Sequence, residues 1–216
     1  MPNWITNKIR TKPEIIKAMV NAEGHVDFAL LSPFPGEFPW NFVSSAAEQL
    51  AEIVAGVPVS DHPAIAALER SNRSRASLAD LSRDEDFEQF VQMLRNHRKC
   101  GFLHSMDFAR ATWGTKWNAC ESKVDEPAGL ASFDTAWSCP MGALAALSKR
   151  FPESDIHVTY ADEDIGSNCG TYTLRAGRVV QSDIAPYWSE MTDQEKQHWT
   201  RFAREVKGWT ADDAEE

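Results

Sequence analysis

Apolar and polar positions alternate from the start of the chain. Ile5, Asn7 and Ile9 fall on one side of residues 4–10, and Trp4, Thr6, Lys8 and Arg10 on the other. That is the period of a strand with one buried face. Pro13 opens a helix whose face is Ile15, Ile16, Met19 and Val20, and Gly24 stops it. Val26 to Leu31 reads as a second strand, ended by Ser32-Pro33-Phe34-Pro35-Gly36. The opening therefore predicts β-α-β, the first half of a ferredoxin-like fold.

The period then becomes helical. Phe42, Val43, Ala46, Ala47, Leu50, Ile53 and Val54 form one stripe that stops at Gly56. Ile65 to Leu81 predicts a short helix and a polar connection through Arg70, Arg73 and Arg75. A further helix starts at Ser82, with Glu85 completing a capping box and Phe87, Phe90, Val91 and Leu94 as its buried face. From Thr112 strands dominate: Trp113 to Val124, Leu130 to Trp137, Ile156 to Tyr160, and Tyr172 to Val180 with a turn near Ala176-Gly177. A helix over Pro140 to Arg150, with Ser138 as its expected cap, separates the second and third. The last helix starts at Thr192 with Glu195 as capping partner, buries Trp199, Phe202, Ala203 and Val206, and ends at Gly208.

The expected fold class is α+β: a ferredoxin-like antiparallel sheet with helices on one face and a helical insertion. The boundaries are an N-terminal β-α-β segment at 1–40, the insertion at 41–110, a strand-rich region at 111–190, and a C-terminal helix with a frayed acidic tail at 191–216.

Charge changes this picture in one respect. The net charge is −10, yet residues 1–120 hold 13 Lys/Arg against 14 Asp/Glu, while residues 121–216 hold 9 against 18. The acidity belongs to the C-terminal part, which lacks the basic footprint of a nucleic-acid binder. No apolar run reaches the roughly 20 residues of a membrane span. The start lacks a signal-peptide pattern, and the four cysteines show no Cys-x-x-Cys spacing, so free thiols in the cytoplasm are expected.

Four segments carry a family resemblance: Met1 to Asn7, Trp113-Gly114-Thr115-Lys116-Trp117-Asn118-Ala119, Phe133-Asp134-Thr135-Ala136-Trp137-Ser138-Cys139-Pro140, and Tyr160-Ala161-Asp162-Glu163-Asp164-Ile165-Gly166. In that order and spacing they resemble the YubB-type, Api-like ferredoxin-like proteins of plasmids, prophages and pathogenicity islands. The resemblance implies a ferredoxin-like α+β domain, a mobile-element origin and a bacterial cytoplasm. It implies no activity.

Two chemistries are candidates. Asp162, Glu163 and Asp164, with Gly166 and Asn168 close by, form the densest acidic motif and can offer oxygen ligands to a divalent cation such as Ca²⁺ or Mg²⁺. Counting Asp162 as the first position, the twelfth is Thr173, so an EF-hand loop is excluded. Trp113, Lys116, Trp117, Asp134 and Trp137 form the second candidate, a binding face on the sheet. Core packing is the first reading of those Trp residues, with Trp137 on one strand with Phe133 and facing the same side. Lys116 and Asp134 are expected to face each other across neighbouring strands. Neither a histidine pair at metal spacing nor a G-x-S-x-G elbow, a P-loop or a G-x-G-x-x-G appears.

The leading functional reading is an interaction protein that meets a basic host protein, with a nucleic-acid-binding one as a candidate, through its acidic C-terminal surface. The alternative is a metal-dependent enzyme with its carboxylate site near Asp162–Asp164.

Overall fold

A computed structural model describes residues 2–209; the acidic tail beyond, expected to fray, lies outside the described residues. Two compact units result: residues 1–33 with 109–216, and residues 34–108.

The first unit is built on a six-stranded sheet. Its strands are β1 (Trp4–Arg10), β2 (Cys120–Asp125), β3 (Leu130–Ala136), β4 (Ile156–Asp162), β5 (Gly170–Arg175) and β6 (Arg178–Ile184). Their order is β2-β3-β1-β4-β5-β6, and every neighbouring pair is antiparallel. The α+β class and the antiparallel sheet stand as expected. Asn7 pairs with Phe133 and with Tyr160, and Ile9 with Ala131 and Val158, so these side chains share one face of the sheet. Helix α1 (Pro13–Lys17) buries Ile15 and Ile16, and α6 (Met141–Arg150) buries Ala143, Leu144 and Leu147.

The expectation of helices on one face is corrected. Ala161 pairs with Thr6 on the opposite face from Tyr160, and it packs with Cys169 against Trp199, Ala203 and Val206 of α7 (Asp193–Lys207). Both faces are apolar at that end of β4, so both need cover. The ends of α7 follow the expected chemistry. Thr192 and Glu195 form a capping box, and Gly208 adopts the left-handed backbone.

The predicted second strand does not form. Asp27 Oδ1 accepts from the Ala29 N–H, and residues Phe28–Leu30 turn into a 3-10 helix. This short-range bond offers the backbone an alternative to a ladder. The residue pattern of a buried run is satisfied anyway: Phe28 is fully buried, edge-on to Trp113 and to Phe133. A single bridge between Val20 and Val26 is what remains of strand pairing there.

The predicted strand from Trp113 is also shorter. Residues 113–119 are a loop, entered from α5 (Ser105–Thr112) through Gly114 in the left-handed region. Pairing begins at Cys120, and a bulge between Cys120 and Lys123 accompanies Glu121 at φ 48°. Asn118 explains the delay, because its Oδ1 accepts from the Phe28 N–H and its Nδ2 donates to Asp27. The β5–β6 turn lies at Ala176-Gly177 as expected, both left-handed, which matches a tight hairpin.

The second unit is helical: α2 (Ser45–Ala55), α3 (Pro63–Arg73) and α4 (Asp84–Cys100), with the start of α5. Ala47, Leu50 and Ala51 of α2 pack with Phe90 and Met93 of α4. The expected capping box at Ser82 is corrected: Arg83 occupies the N-cap position, and its guanidinium makes two bonds to Asp86 at 3.0 and 2.6 Å. Those bonds hold the buried Asp86 carboxyl down from 3.8 to about 2. A depressed carboxyl stabilises the fold above its unfolded pKa, and that contribution disappears as pH falls through the folded one. We therefore expect Asp86→Asn to flatten acid unfolding between pH 3.8 and about 2, monitored by circular dichroism, relative to the wild type. An unchanged acid profile disproves the assignment.

Candidate functional site

One end of the sheet gathers most of the residues singled out in the sequence. Trp4 opens β1, Ala136 closes β3 opposite it, and Asp162 closes β4 opposite Ile5. The loop 113–119 and the turn after β3 meet at this end.

Trp113 is a core residue, 8% exposed, with its Nε1 donating to the Ser32 carbonyl at 2.9 Å. Trp117 and Trp137 are not. They are 36% and 47% exposed, which corrects the core reading of both. Their rings lie 5.5 Å apart, and Trp117 is 6.2 Å from the ring of Trp4. Lys116 places Nζ 4.8 Å from the centre of Trp117 and 5.5 Å from that of Trp137. An ammonium over an indole face is attracted by the ring's quadrupole, worth about 0.5–1 kcal/mol at an exposed site.

Trp137 does not continue the strand of Phe133. It stands one residue past β3 at φ 62°, a region that bulky side chains rarely occupy. Strain of this kind costs about 1–3 kcal/mol and persists where the surroundings over-determine it. The surroundings here are specific. The Trp137 N–H donates to Asn3, the Thr135 hydroxyl to the Ser138 carbonyl, and the Thr115 hydroxyl to the Ala136 carbonyl. Ser138 Oγ donates to the Gly114 carbonyl, so it ties the turn to the loop and does not cap α6 as expected; Pro140 holds that cap position. Beneath the turn, the buried Asn7 Nδ2 donates to Thr135 Oγ1 at 2.9 Å, and Asn7 Oδ1 has no hydrogen-bond partner among the described residues.

Lys116 lies in the loop, so it does not face Asp134 across strands. Asp134 is half-buried on β3, in register with Thr6 and Cys120. Lys116 and Asp134 form no ion pair among the described residues.

The three carboxylates of the acidic motif are placed differently from one another. Asp162 is buried: Oδ1 accepts from the Asp164 N–H at 3.1 Å, and Oδ2 accepts from Asn168 Nδ2 at 2.8 Å. Asn168 Nδ2 also reaches the Trp137 carbonyl at 3.4 Å, so the acidic loop braces the strained turn. Glu163 and Asp164 point to solvent.

Three His and acidic side chains do converge in the helical unit. His104 Nε2 lies 3.0 Å from Glu48 Oε1 and 3.5 Å from Asp107 Oδ2. The Asp107 N–H points at His104 Nδ1 at 3.3 Å, so Nδ1 accepts and the ring proton sits on Nε2. In that tautomer the ring caps α5 and donates to Glu48, leaving no lone pair for a metal.

Cysteine chemistry fares no better. Cys139 is buried with Sγ 2.8 Å from Tyr172 Oη, and burial pushes its thiol up to about 12. Burial, with the nearby Asp162 charge, raises Cys169 to about 11. A thiol nucleophile must ionise near neutral pH, and these two do not.

Residues 112–202 match the family described as the ferredoxin-like domain in Api92-like protein. That span holds Lys116, Trp117, Trp137 and α7 as far as Phe202, and over it the resemblance to the Api-like ferredoxin-like family is confirmed. The description names a fold and no activity. Among solved structures, the crystal structure of a protein api92 from Yersinia pseudotuberculosis is similar over 86% of this chain and 99% of its own, at 13% identity and a TM-score of 0.37. No curated protein matches. Among the described residues, no helix is long and apolar enough to cross a membrane.

Trp4 and Asn7 are site residues that the sequence reading does not single out, and Asn168 enters it only beside the acidic motif. Alternation put Trp4 on the polar side of β1, which was the available clue to its exposure.

Proposed function

We propose that this chain is an interaction protein, and that the array of Trp4, Lys116, Trp117 and Trp137 is its docking surface. One observation carries the reading: a half-exposed Trp137 is held in a strained backbone by bonds from three other segments, at Asn3, Thr115 and Asn168, and by Thr135 across the turn itself. A fold gains nothing by straining the backbone to expose an indole, whereas a binding surface gains a preorganised anchor. Trp residues in rigid settings are the commonest such anchors.

The rim selects the partner's chemistry. Glu163 and Asp164 are exposed on the loop that braces Trp137, and a guanidinium can stack on an indole while pairing with a carboxylate. We therefore take the partner to be a protein with a basic surface, one that binds nucleic acid being the obvious class. The family resemblance adds a mobile-element setting and a bacterial cytoplasm to this reading.

Affinity purification from a bacterial host, with a Trp117→Ala/Trp137→Ala variant in parallel, tests it. The reading expects a stoichiometric basic partner with the wild type and its loss with the variant. Trp137→Gly separates binding from folding, because glycine tolerates the left-handed backbone. We expect its melting temperature within about 4 °C of the wild type, the shift of roughly 1 kcal/mol in a chain this size. Capture of the partner should fall with it. A large loss of melting temperature in this variant means that Trp137 serves the core after all.

A further inference from the structure

The outward side of α7 carries a charge pattern opposite to that of the chain. Lys196, Thr200 and Arg204 recur at four-residue spacing on one stripe, and Arg201 and Lys207 flank it. Both ends of the stripe are bounded by indoles. Lys196 Nζ sits 5.4 Å from the Trp188 ring, and Lys207 Nζ sits 5.2 Å from the Trp209 ring. The chain reverses at Gly208, and the Trp209 N–H returns to the Arg204 carbonyl, which sets the indole against the helix. An open groove of about 640 Å³ results, lined by Lys196, Thr200, Arg201, Arg204 and Trp209, among others. Glu205 is the carboxylate in that lining. Among the described residues, neither Arg201 nor Arg204 has a carboxylate within ion-pair distance.

We infer that this groove binds a short acidic peptide segment of a partner protein. Two guanidiniums and an ammonium outnumber one carboxylate, and arginine grips carboxylates in bidentate fashion. The length of the stripe decides between peptide and nucleic acid. Lys196 to Lys207 spans about 16 Å of helix, enough for roughly five extended residues. Past Lys196 the helix start carries Glu195 and Asp193, and Glu190 precedes them. A long polyanion running along the helix meets these carboxylates, whereas a short one ends before them. The indole of Trp209 offers an apolar wall to the aliphatic part of a glutamate side chain. The two surfaces meet where Lys207 Nζ donates to the Trp4 carbonyl at 3.0 Å; the substitutions that test each spare both of these residues, so the two readings fail independently.

Fluorescence anisotropy of a labelled hexaglutamate peptide with the full chain tests the inference. We expect saturable binding at low salt that weakens at least about tenfold in Arg201→Glu/Arg204→Glu. Raising salt from about 50 to about 200 mM should weaken it too. Trp117→Ala/Trp137→Ala should leave this binding unchanged. Because Arg201 and Arg204 lie on the helix surface, Arg201→Gln/Arg204→Gln serves as a gentler variant whose fold is checked by circular dichroism. Four outcomes overturn the proposal: no binding, binding by the arginine variants within about twofold of the wild type, tighter binding of an oligothymidylate than of the peptide, and peptide binding that appears only when residues 210–216 are removed. The last assigns the groove to this chain's own acidic segment.

Discussion

Phe28→Ala is expected to lower the unfolding free energy by about 3–5 kcal/mol, the usual cost of emptying a buried phenylalanine site. Phe28 is fully buried and meets Trp113 at 5.8 Å and Phe133 at 5.6 Å, both edge-on. Aromatic contacts in that geometry add to area burial. Collapse of the site is restricted, because the backbone on either side is pinned. Asp27 bonds Ala29 and Asn118, and Asn118 bonds the Phe28 N–H. The cavity therefore stays open, which places the cost at the upper end of the range. Asn118 lies one residue beyond Trp117, so the same truncation should loosen the Trp array. Urea unfolding followed by circular dichroism measures the first effect, and tryptophan emission in the native state follows the second. A change of less than about 1 kcal/mol means that the segment repacks and that Phe28 is no keystone of the core.

Gly129→Val carries the other large effect, for two reasons that act at once. Gly129 closes the β2–β3 turn at φ 70°, where a β-branched residue loses about 1–2 kcal/mol relative to glycine. A Cβ built there stands 2.0 Å from the Thr11 carbonyl oxygen, a backbone atom that cannot rotate away. Separating the two chains breaks the bond from the Thr11 N–H to the Gly129 carbonyl and adds an overpacking cost of about 1–3 kcal/mol. The expected total is about 2–5 kcal/mol in chemical unfolding. Gly129→Ala keeps the clash and most of the backbone strain, so it should lose nearly as much. If alanine is tolerated while valine is not, side-chain bulk decides the effect and the backbone angle does not.

Local chemistry made much of the fold legible. Alternation along Trp4–Arg10 gave the strand and the buried face of β1. Thr192 with Glu195 and the terminal Gly208 bounded α7, and Ala176-Gly177 marked the hairpin turn. Each of these depends on neighbours within a few residues, so each is written in the chain. Helix α5 was missed because His104 caps it, and histidine is not among the usual capping residues.

The sequence by itself determined the α+β class, most element positions, the acidity of the C-terminal part, and the segments that carry the family resemblance. It also brought Trp113, Lys116, Trp117, Asp134 and Trp137 together as one group. Tertiary structure decided how that group divides. Trp113 and Trp117 are four residues apart and chemically alike, yet one is buried against Phe28 and the other exposed beside Lys116. The difference arises because Gly114 turns the chain and because Asn118 bonds a residue 90 positions away, closing the loop on Phe28. Trp137 follows the same logic. Period-two alternation carried it onto the core face with Phe133, but Asn3, Thr135 and Asn168 bind the turn after β3 and force a left-handed backbone there. Asp162, read as a metal ligand, is drawn inward by Asn168 while Glu163 and Asp164 stay outside. Periodicity reports which way a side chain points in a regular element, and these residues stand where elements end. Their orientation is set by hydrogen bonds to distant segments, and only the folded chain brings those partners together.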